Sequence, residues 1–290
     1  MTARVIEPGP LALVQDLGRP GASGLGLGPG GALDRTALRA ANALVGNPAS
    51  SAALEILLGG FSLRFLEPAM VSVTGARGEL RIDGELVQQH VAHAVAAGSR
   101  VSIGTASAGL RFYLAVAGGV ATEELAGSRS RDVLAGMGPP PLSAGQLLSF
   151  GRLAFSEGSG NSPQRAQVLR DPPRGERSIS LRLTPGPRLD WFAPGAWAAL
   201  LAQPWSISAE SNRIAARLMG RPLEFARTEQ LLSEGMVSGA LQVPPSGLPM
   251  IFLADHPVTG GYPVIAVVRG ADLDLLGQAQ PGQRLNFLQG

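Results

Sequence analysis

The chain has 290 residues, 45% hydrophobic and 16% charged, with a formal net charge of only +2. Its pI near 9.9 overstates its basicity, because every basic residue is arginine and no arginine-dense run exists, so nucleic acid is not an expected partner. The absence of lysine excludes a Walker phosphate loop, a Schiff base and a lysine general base, and the absence of cysteine excludes disulfides, thiolate nucleophiles and cysteine zinc sites.

The start, MTARVIEPGP, lacks the apolar core of a signal peptide, and no apolar run approaches a membrane span, so a cytoplasmic protein is expected. The 39 glycines and 23 prolines favour many turns and short strands over long helices. The first distinctive tract is VQDLGRPGASGLGLGPGGALDR, residues 14–35, which runs from a strand-like start into a helix. Amides at a helix N-terminus and the guanidinium of Arg19 suit an anion, while a long flexible turn accounts for the same glycines. LDRTALRAANALVG predicts that helix, with Asp34 capping its first turn and Leu38, Ala41 and Leu44 or Val45 sharing one face.

Strand-like runs follow in SLRFLEPAMVSVTGA, ELRIDGELV, SRVSIG and LRFYLAVAGG. In VQQHVAHAVAAG, His90 and His93 would fall together on a helix but on opposite faces of a strand. A strand leading to a turn is the expected form, no third ligand is evident, and no metal site is expected. AVAGGVATEELAGSRSR ends in Ser128-Arg129-Ser130, a small polar triplet suited to phosphate or carboxylate, or equally a loop held by one arginine. The polar run EGSGNSPQRAQVLRDPPRGER suggests a linker over 158–177 between two domains, 1–157 and 178–290.

Beyond it, ISLRL, WSISA, ALQV, PMIFLAD, YPVIAVV and RLNFL read as strands, with weaker helices in DWFAPGAWAALLA and ADLDLLGQA. SEGMVSGALQVPPSGLP sets Glu234 and Gln242 beside short strands, Glu234 being an exposed turn acid or a buried general base. In LADHPVTGGYP, Asp255 and His256 stand at a strand end, where His256 can shuttle protons and Asp255 can orient it or act itself. Gly260 and Gly261 are expected to turn with positive φ and to converge their amides on an anion, the alternative being a polar hairpin loop.

The two halves share motifs in one order. Asp34-Arg35, Gly46-x-Pro48 and Leu54-Glu55-Ile56 match Asn212-Arg213, Gly220-x-Pro222 and Leu223-Glu224-Phe225, and GSRVSI matches GQRLNF. A duplicated β-rich unit is the simplest explanation, and two packed units would leave a cleft between them for a small molecule.

The motifs VQDLGRPG, GGALDRTALRAANALVGNP, YLAVAGG with GSRS, SEGMVSGALQVPPSGLP and LADHPVTGGYPVIA together resemble the family of 5-oxoprolinase C-type subunits, also known as allophanate hydrolase subunit 2 or the biotin-dependent carboxyltransferase-domain family. The resemblance implies a mainly β fold of tandem cyclophilin-like β-barrel domains with a few short helices. It implies a B-type partner subunit and a further A-type subunit, and ATP-dependent opening of 5-oxoproline to glutamate, with ATP bound by the partner subunit or shared with it. Relatives fused into urea carboxylase instead use biotin, and others bind an inhibitor of a histidine kinase without catalysing a reaction. For the lactam chemistry, residue type assigns Arg19, Arg213, Gly260 and Gly261 to the oxyanion and phosphate, and Asp255, His256 and Glu234 to proton transfer. Gln242 and Tyr262 would orient substrate, and Asp34, Ser128, Arg129 and Thr259 complete the candidate anion and substrate contacts. Where the family pattern runs Asp-Arg-Gln-Thr-Thr-Gly-Gly-Tyr, this chain has His256-Pro257-Val258 after Asp255; it also has Asn212 where an acid is usual and Pro29-Gly30 for a serine-glycine pair.

Overall fold

Alternating apolar runs a few residues long dominate this sequence, and they fold as short strands whose buried faces build a main core in each of two units, with a smaller cluster around Phe252. The computed structural model describes residues 1–151 and 178–290, so the expected linker over 158–177 lies outside the described residues. The chain forms two compact units. The first comprises Met1–Arg19, Asp34–Arg131 and the described part of Met137–Pro172; the second comprises Pro20–Leu33, Asp132–Gly136 and the described part of Pro173–Gly290.

The first unit holds two antiparallel sheets. One runs Leu147–Ser149, Thr2–Pro8, Phe61–Phe65, Arg100–Ile103, Leu80–Ile82, Glu85–Val87; the other runs Leu11–Gln15, Ala53–Leu57, Ala108–Val116, Ala69–Arg77, Ala92–Val95. Their inward faces share a core that includes Val5, Ile56, Leu63, Val73, Phe112 and Leu114. ELRIDGELV closes as a hairpin because Asp83 and Gly84 both take positive φ, 53° and 91°, as a tight two-residue turn demands.

Helix α1, Arg35–Leu44, packs on the strands Ala108–Val116 and Ala69–Arg77. The Asp34 carboxylate caps it by accepting from the Ala37 N–H at 2.8 Å. Polar groups also anchor its apolar face: Thr74 and Ser72 donate their hydroxyls to the Ala37 and Ala41 carbonyls, each at 2.7 Å. The Tyr113 phenol accepts from the Asp34 N–H and donates to Glu55, both at 2.8 Å. Burial, with Glu55 and Asp34 alongside, pushes that phenol well above its ordinary value.

The second unit is a closed barrel of seven strands, in the order Ile179–Pro185, Val264–Val268, Ala240–Gln242, Met250–Phe252, Ala215–Met219, Trp205–Ile207, Arg284–Gln289. Closure comes from the parallel pairing of the first strand with the last, Ile179 opposite Leu285 through Leu183 opposite Gln289. Trp205, Leu241, Ile251, Ile265 and Leu285 lie in its core, and the short helices α2, Ala196–Ala202, and α3, Leu273–Gly277, fall in the two segments expected to be helical.

The internal motif matches divide. GSRVSI and GQRLNF both become a strand entered from a glycine with positive φ, Gly98 at 89° and Gly282 at 80°. The segment after Asp34-Arg35 is a helix, whereas the one after Asn212-Arg213 is the strand Ala215–Met219. There the Asn212 side chain accepts from the Ile214 and Ala215 N–H groups, a local turn that starts a strand instead of capping a helix.

Tyr113→Phe should destabilise the first unit by about 1–3 kcal/mol, because the Asp34 N–H and the Glu55 carboxylate each lose a buried partner. Urea unfolding at neutral pH would measure this as a lower midpoint.

Candidate functional site

The strand Met250–Phe252 delivers the chain into a turn where Asp255 is fully buried. Arg213, 3% exposed, grips its carboxylate with both ends of the guanidinium, Nε at 2.8 Å and Nη2 at 2.9 Å. Arg213 Nη2 also donates to the Gly31 carbonyl at 2.6 Å, and the Val133 N–H donates to Asp255 at 3.0 Å. The Gly30 N–H donates to the Ala254 carbonyl, so the glycine tract is tied to the same turn. Burial pushes the Asp255 carboxyl above its ordinary value, while Arg213 and the Val133 N–H pull it back toward the ionised form.

His256 comes next, 4% exposed and stacked on Phe252 with ring centroids 5.8 Å apart. Its Nδ1 lies 2.7 Å from the Pro257 carbonyl, and a carbonyl can only accept, so Nδ1 carries the proton and Nε2 carries the lone pair. Burial lowers the imidazole pKa, partly offset by the Pro257 carbonyl, Asp132 and Asp255. The ring is therefore neutral at pH 7, with a basic Nε2 that has no hydrogen-bond partner among the described residues.

The glycine corner further along departs from expectation. Neither Gly260 nor Gly261 has a positive φ. Gly260 is required by close approach instead: a Cβ there would lie 2.7 Å from Gln242 Nε2 and 3.3 Å from Met236. Gln242 is buried and donates to the Tyr262 carbonyl at 2.9 Å, so it positions the corner. Thr259 and Gly260 pair with Gly235 and Glu234 as a two-stranded ribbon. Glu234 is held by a two-pronged ion pair with Arg188, which keeps its carboxyl below the ordinary range. It is partly exposed and anionic, not the protonated acid or raised-pKa base that burial would make. Beside this ribbon lies a cavity of about 230 Å³ with Gly261, Tyr262 and Pro263 on one side and Trp191, Phe225 and Leu231 among its walls.

The remaining candidates lie in the first unit and are engaged mainly by that unit's own groups. The triplet suited to a carboxylate does hold one, the chain's own Asp16: Ser128 and Ser130 donate their hydroxyls at 2.6 and 2.5 Å, and the Arg129 N–H donates at 2.7 Å. The Arg129 guanidinium turns away to Glu124 and the Thr122 carbonyl. Arg19, 2% exposed, donates to the Ser130 and Leu125 carbonyls, and its Nη1 is buried with no partner among the described residues. Asp34 serves the helix cap described above. His90 sits in a left-handed turn at φ 62°, just before the strand Ala92–Val95 that carries His93.

Residue type grouped Gly260 and Gly261 with Arg19 and Arg213, and Glu234 with Asp255 and His256; the structure sets Thr259 and Gly260 against Gly235 and Glu234, Gln242 on the Tyr262 carbonyl, and Arg213 on Asp255. Sequence reasoning passed over Asp16, although Asp16 stands within VQDLG, and over Arg188, Trp191, Phe225 and Arg227 around the ribbon and cavity. An aspartate followed two residues later by glycine was a usable signal for Asp16, since its carboxylate also accepts the Gly18 N–H at 2.8 Å.

Together these features define a mainly β protein with a closed seven-stranded barrel, in which a buried arginine–aspartate pair and a neutral imidazole precede a small cavity. The profile described as carboxyltransferase domain, subdomain A and B, matches residues 25–289, and the chain belongs to that family. It is 38% identical over 287 residues to the C-type subunit of 5-oxoprolinase from Escherichia coli (strain K12), spanning 99% of this chain and 90% of that protein. It is 34% identical over 282 residues to the corresponding Haemophilus influenzae 5-oxoprolinase subunit, spanning 95% and 87%. The crystal structure of Kluyveromyces lactis urea carboxylase matches 99% of this chain at 28% identity and a TM-score of 0.89, over 27% of its own length. Among the described residues, no helix is long and apolar enough to cross a membrane.

Arg213→Met should cost about 3–5 kcal/mol in a denaturant titration, because it strands a buried carboxylate, and Arg213→Met with Asp255→Leu should recover much of that loss. For His256 the folded pKa lies below the ordinary histidine value of 6.5. The unfolded chain therefore binds more protons just below pH 6.5, and stability falls as pH drops through that window. His256→Gln should flatten this part of the stability–pH curve.

Proposed function

We propose that the chain is the C-type subunit of an ATP-dependent 5-oxoprolinase, working with a B-type partner and a further A-type subunit on a small cyclic amide. The observation that carries this reading is the 38% identity with the Escherichia coli 5-oxoprolinase subunit over 90% of that protein's length. A lactam is a poor electrophile because its nitrogen donates into the carbonyl. Phosphorylation of the carbonyl oxygen by ATP releases ADP and removes that resonance; water then adds at the carbon, the ring C–N bond breaks as the nitrogen takes a proton, and a second water hydrolyses the resulting acyl phosphate to the carboxylate and inorganic phosphate.

Within this chain the neutral His256 imidazole suits proton transfer, because its basic Nε2 is unengaged. Asp255 is a positioning residue in this scheme: its oxygens are occupied by Arg213 and the Val133 N–H, and it holds the turn that carries His256. Gln242 and Tyr262 order the corner at the cavity, and Glu234 remains a paired anion beside it.

A second reading, transfer of a carboxyl group from carboxybiotin, is favoured by the family description and by the match to urea carboxylase. In that case the biotin rides on another chain or domain, because these 290 residues hold no lysine to attach it.

Mixing the purified chain with the B-type and A-type subunits, ATP and 5-oxoproline should yield ADP and glutamate. Turnover only with a biotinylated protein and bicarbonate would favour the second reading, and a complex without turnover would mark a binding module. In the active assembly His256→Gln should lower kcat by about 10²-fold or more, the usual range for a lost acid–base group.

A further inference from the structure

The cavity beside the Gly261 corner has the make-up of a ligand site. Its walls are apolar and partly aromatic, with Trp191, Phe225, Leu231 and Val243 among them. Three polar side chains in the lining remain available: Thr228 Oγ1, Gln230 Oε1 and the Tyr262 hydroxyl have no hydrogen-bond partner among the described residues. The charged groups at its edge form a self-paired set. Arg227 stacks over Trp191 at 5.8 Å, bonds Asp190 at 2.9 Å and lies 4.0 Å from Glu229. One cation against two anions disfavours the phosphates of a nucleotide there, whereas free neutral donors and acceptors above an aromatic floor favour a flat amide.

We propose that this cavity of the second unit binds a small planar cyclic amide, its ring against the aromatic wall and its amide edge toward Thr228, Gln230 and Tyr262. A carboxylate on the ring stays at the mouth beside the half-exposed Arg227. The choice of a lactam rests on the 5-oxoprolinase reading. The location rests on the cavity alone, and nucleotide binding is assigned elsewhere in the assembly.

Gly261 makes the idea testable. A Cβ at this position meets nothing nearer than 3.6 Å, and its backbone is outside the left-handed region, so a larger side chain grows into the cavity without a backbone clash. Ligand-observed NMR on the purified chain would compare 5-oxoproline, the uncharged 2-pyrrolidinone and ATP, using wild type, Gly261→Leu, Thr228→Val and Arg227→Gln. Both lactams should bind wild type while ATP does not, and Gly261→Leu should weaken both by about tenfold or more. Thr228→Val, at an exposed position that leaves the fold intact, should weaken both by a few-fold, the effect of one neutral hydrogen bond. Arg227→Gln should weaken 5-oxoproline only.

The proposal is overturned if wild type binds neither lactam, or if a folded Gly261→Leu, or Thr228→Val should Gly261→Leu misfold, binds both as wild type does. Loss of B-type subunit binding in Gly261→Leu, with no lactam binding by wild type, would also overturn it and mark a protein-docking pocket. Absence of turnover in the assembled enzyme, with lactam binding that Gly261→Leu abolishes, would sink the 5-oxoprolinase reading and leave this site standing.

Discussion

The buried pair of Arg213 and Asp255 is the interaction on which the second unit's turn at residues 253–256 depends. A carboxylate removed from water is tolerable only if nearly all of its hydrogen-bonding capacity is met, and here a two-pronged guanidinium and a backbone N–H meet it. The same guanidinium reaches the Gly31 carbonyl, so one charge pair joins the strand end at Asp255, the Arg213 turn and the glycine tract. Such a pair contributes little net stability over an apolar replacement but severely penalises the loss of one partner. Its use is geometric: it fixes the turn from which His256 emerges.

Beyond His256 the chain is organised by close approach more than by charge. Gly260 has no side chain because Gln242 occupies that space, and Gln242 in turn holds the Tyr262 carbonyl. The ribbon of Glu234–Gly235 against Thr259–Gly260 is two residues long on each side, too short to define a position by its own ladder. The Arg188–Glu234 ion pair and the buried Gln242 supply the missing constraint. A cavity with aromatic walls then lies beside an ordered, side-chain-free corner, an arrangement suited to a flat ligand.

The first unit gives a contrasting lesson about polar motifs. Ser128-Arg129-Ser130 reads as an anion cradle and is one, but the anion is Asp16, more than a hundred residues away in sequence. Arg19 similarly spends two of its donors on backbone carbonyls. A motif built to hold a carboxylate cannot say whether that carboxylate is a ligand or the protein's own. Only the folded chain brings Asp16 within 2.6 Å of Ser128.

By itself the sequence determined the mainly β character, the helix behind Asp34 and the family, because periodicity and capping are local and long motifs are specific; the hairpin at Asp83-Gly84, inside what reads as one strand-like run, came from the structure. The sequence named Glu234, Gln242 and the Thr259–Tyr262 stretch as candidates by residue type alone, which fixes no distance; their proximity came from the fold. Tertiary structure alone decided that Asp255 is pinned by Arg213, that Glu234 is an anion paired with Arg188, and that Gly260 answers to Gln242 and not to a left-handed turn. Those outcomes depend on distances between residues 18 to 46 positions apart, for which a linear sequence carries no physical signal until the barrel closes.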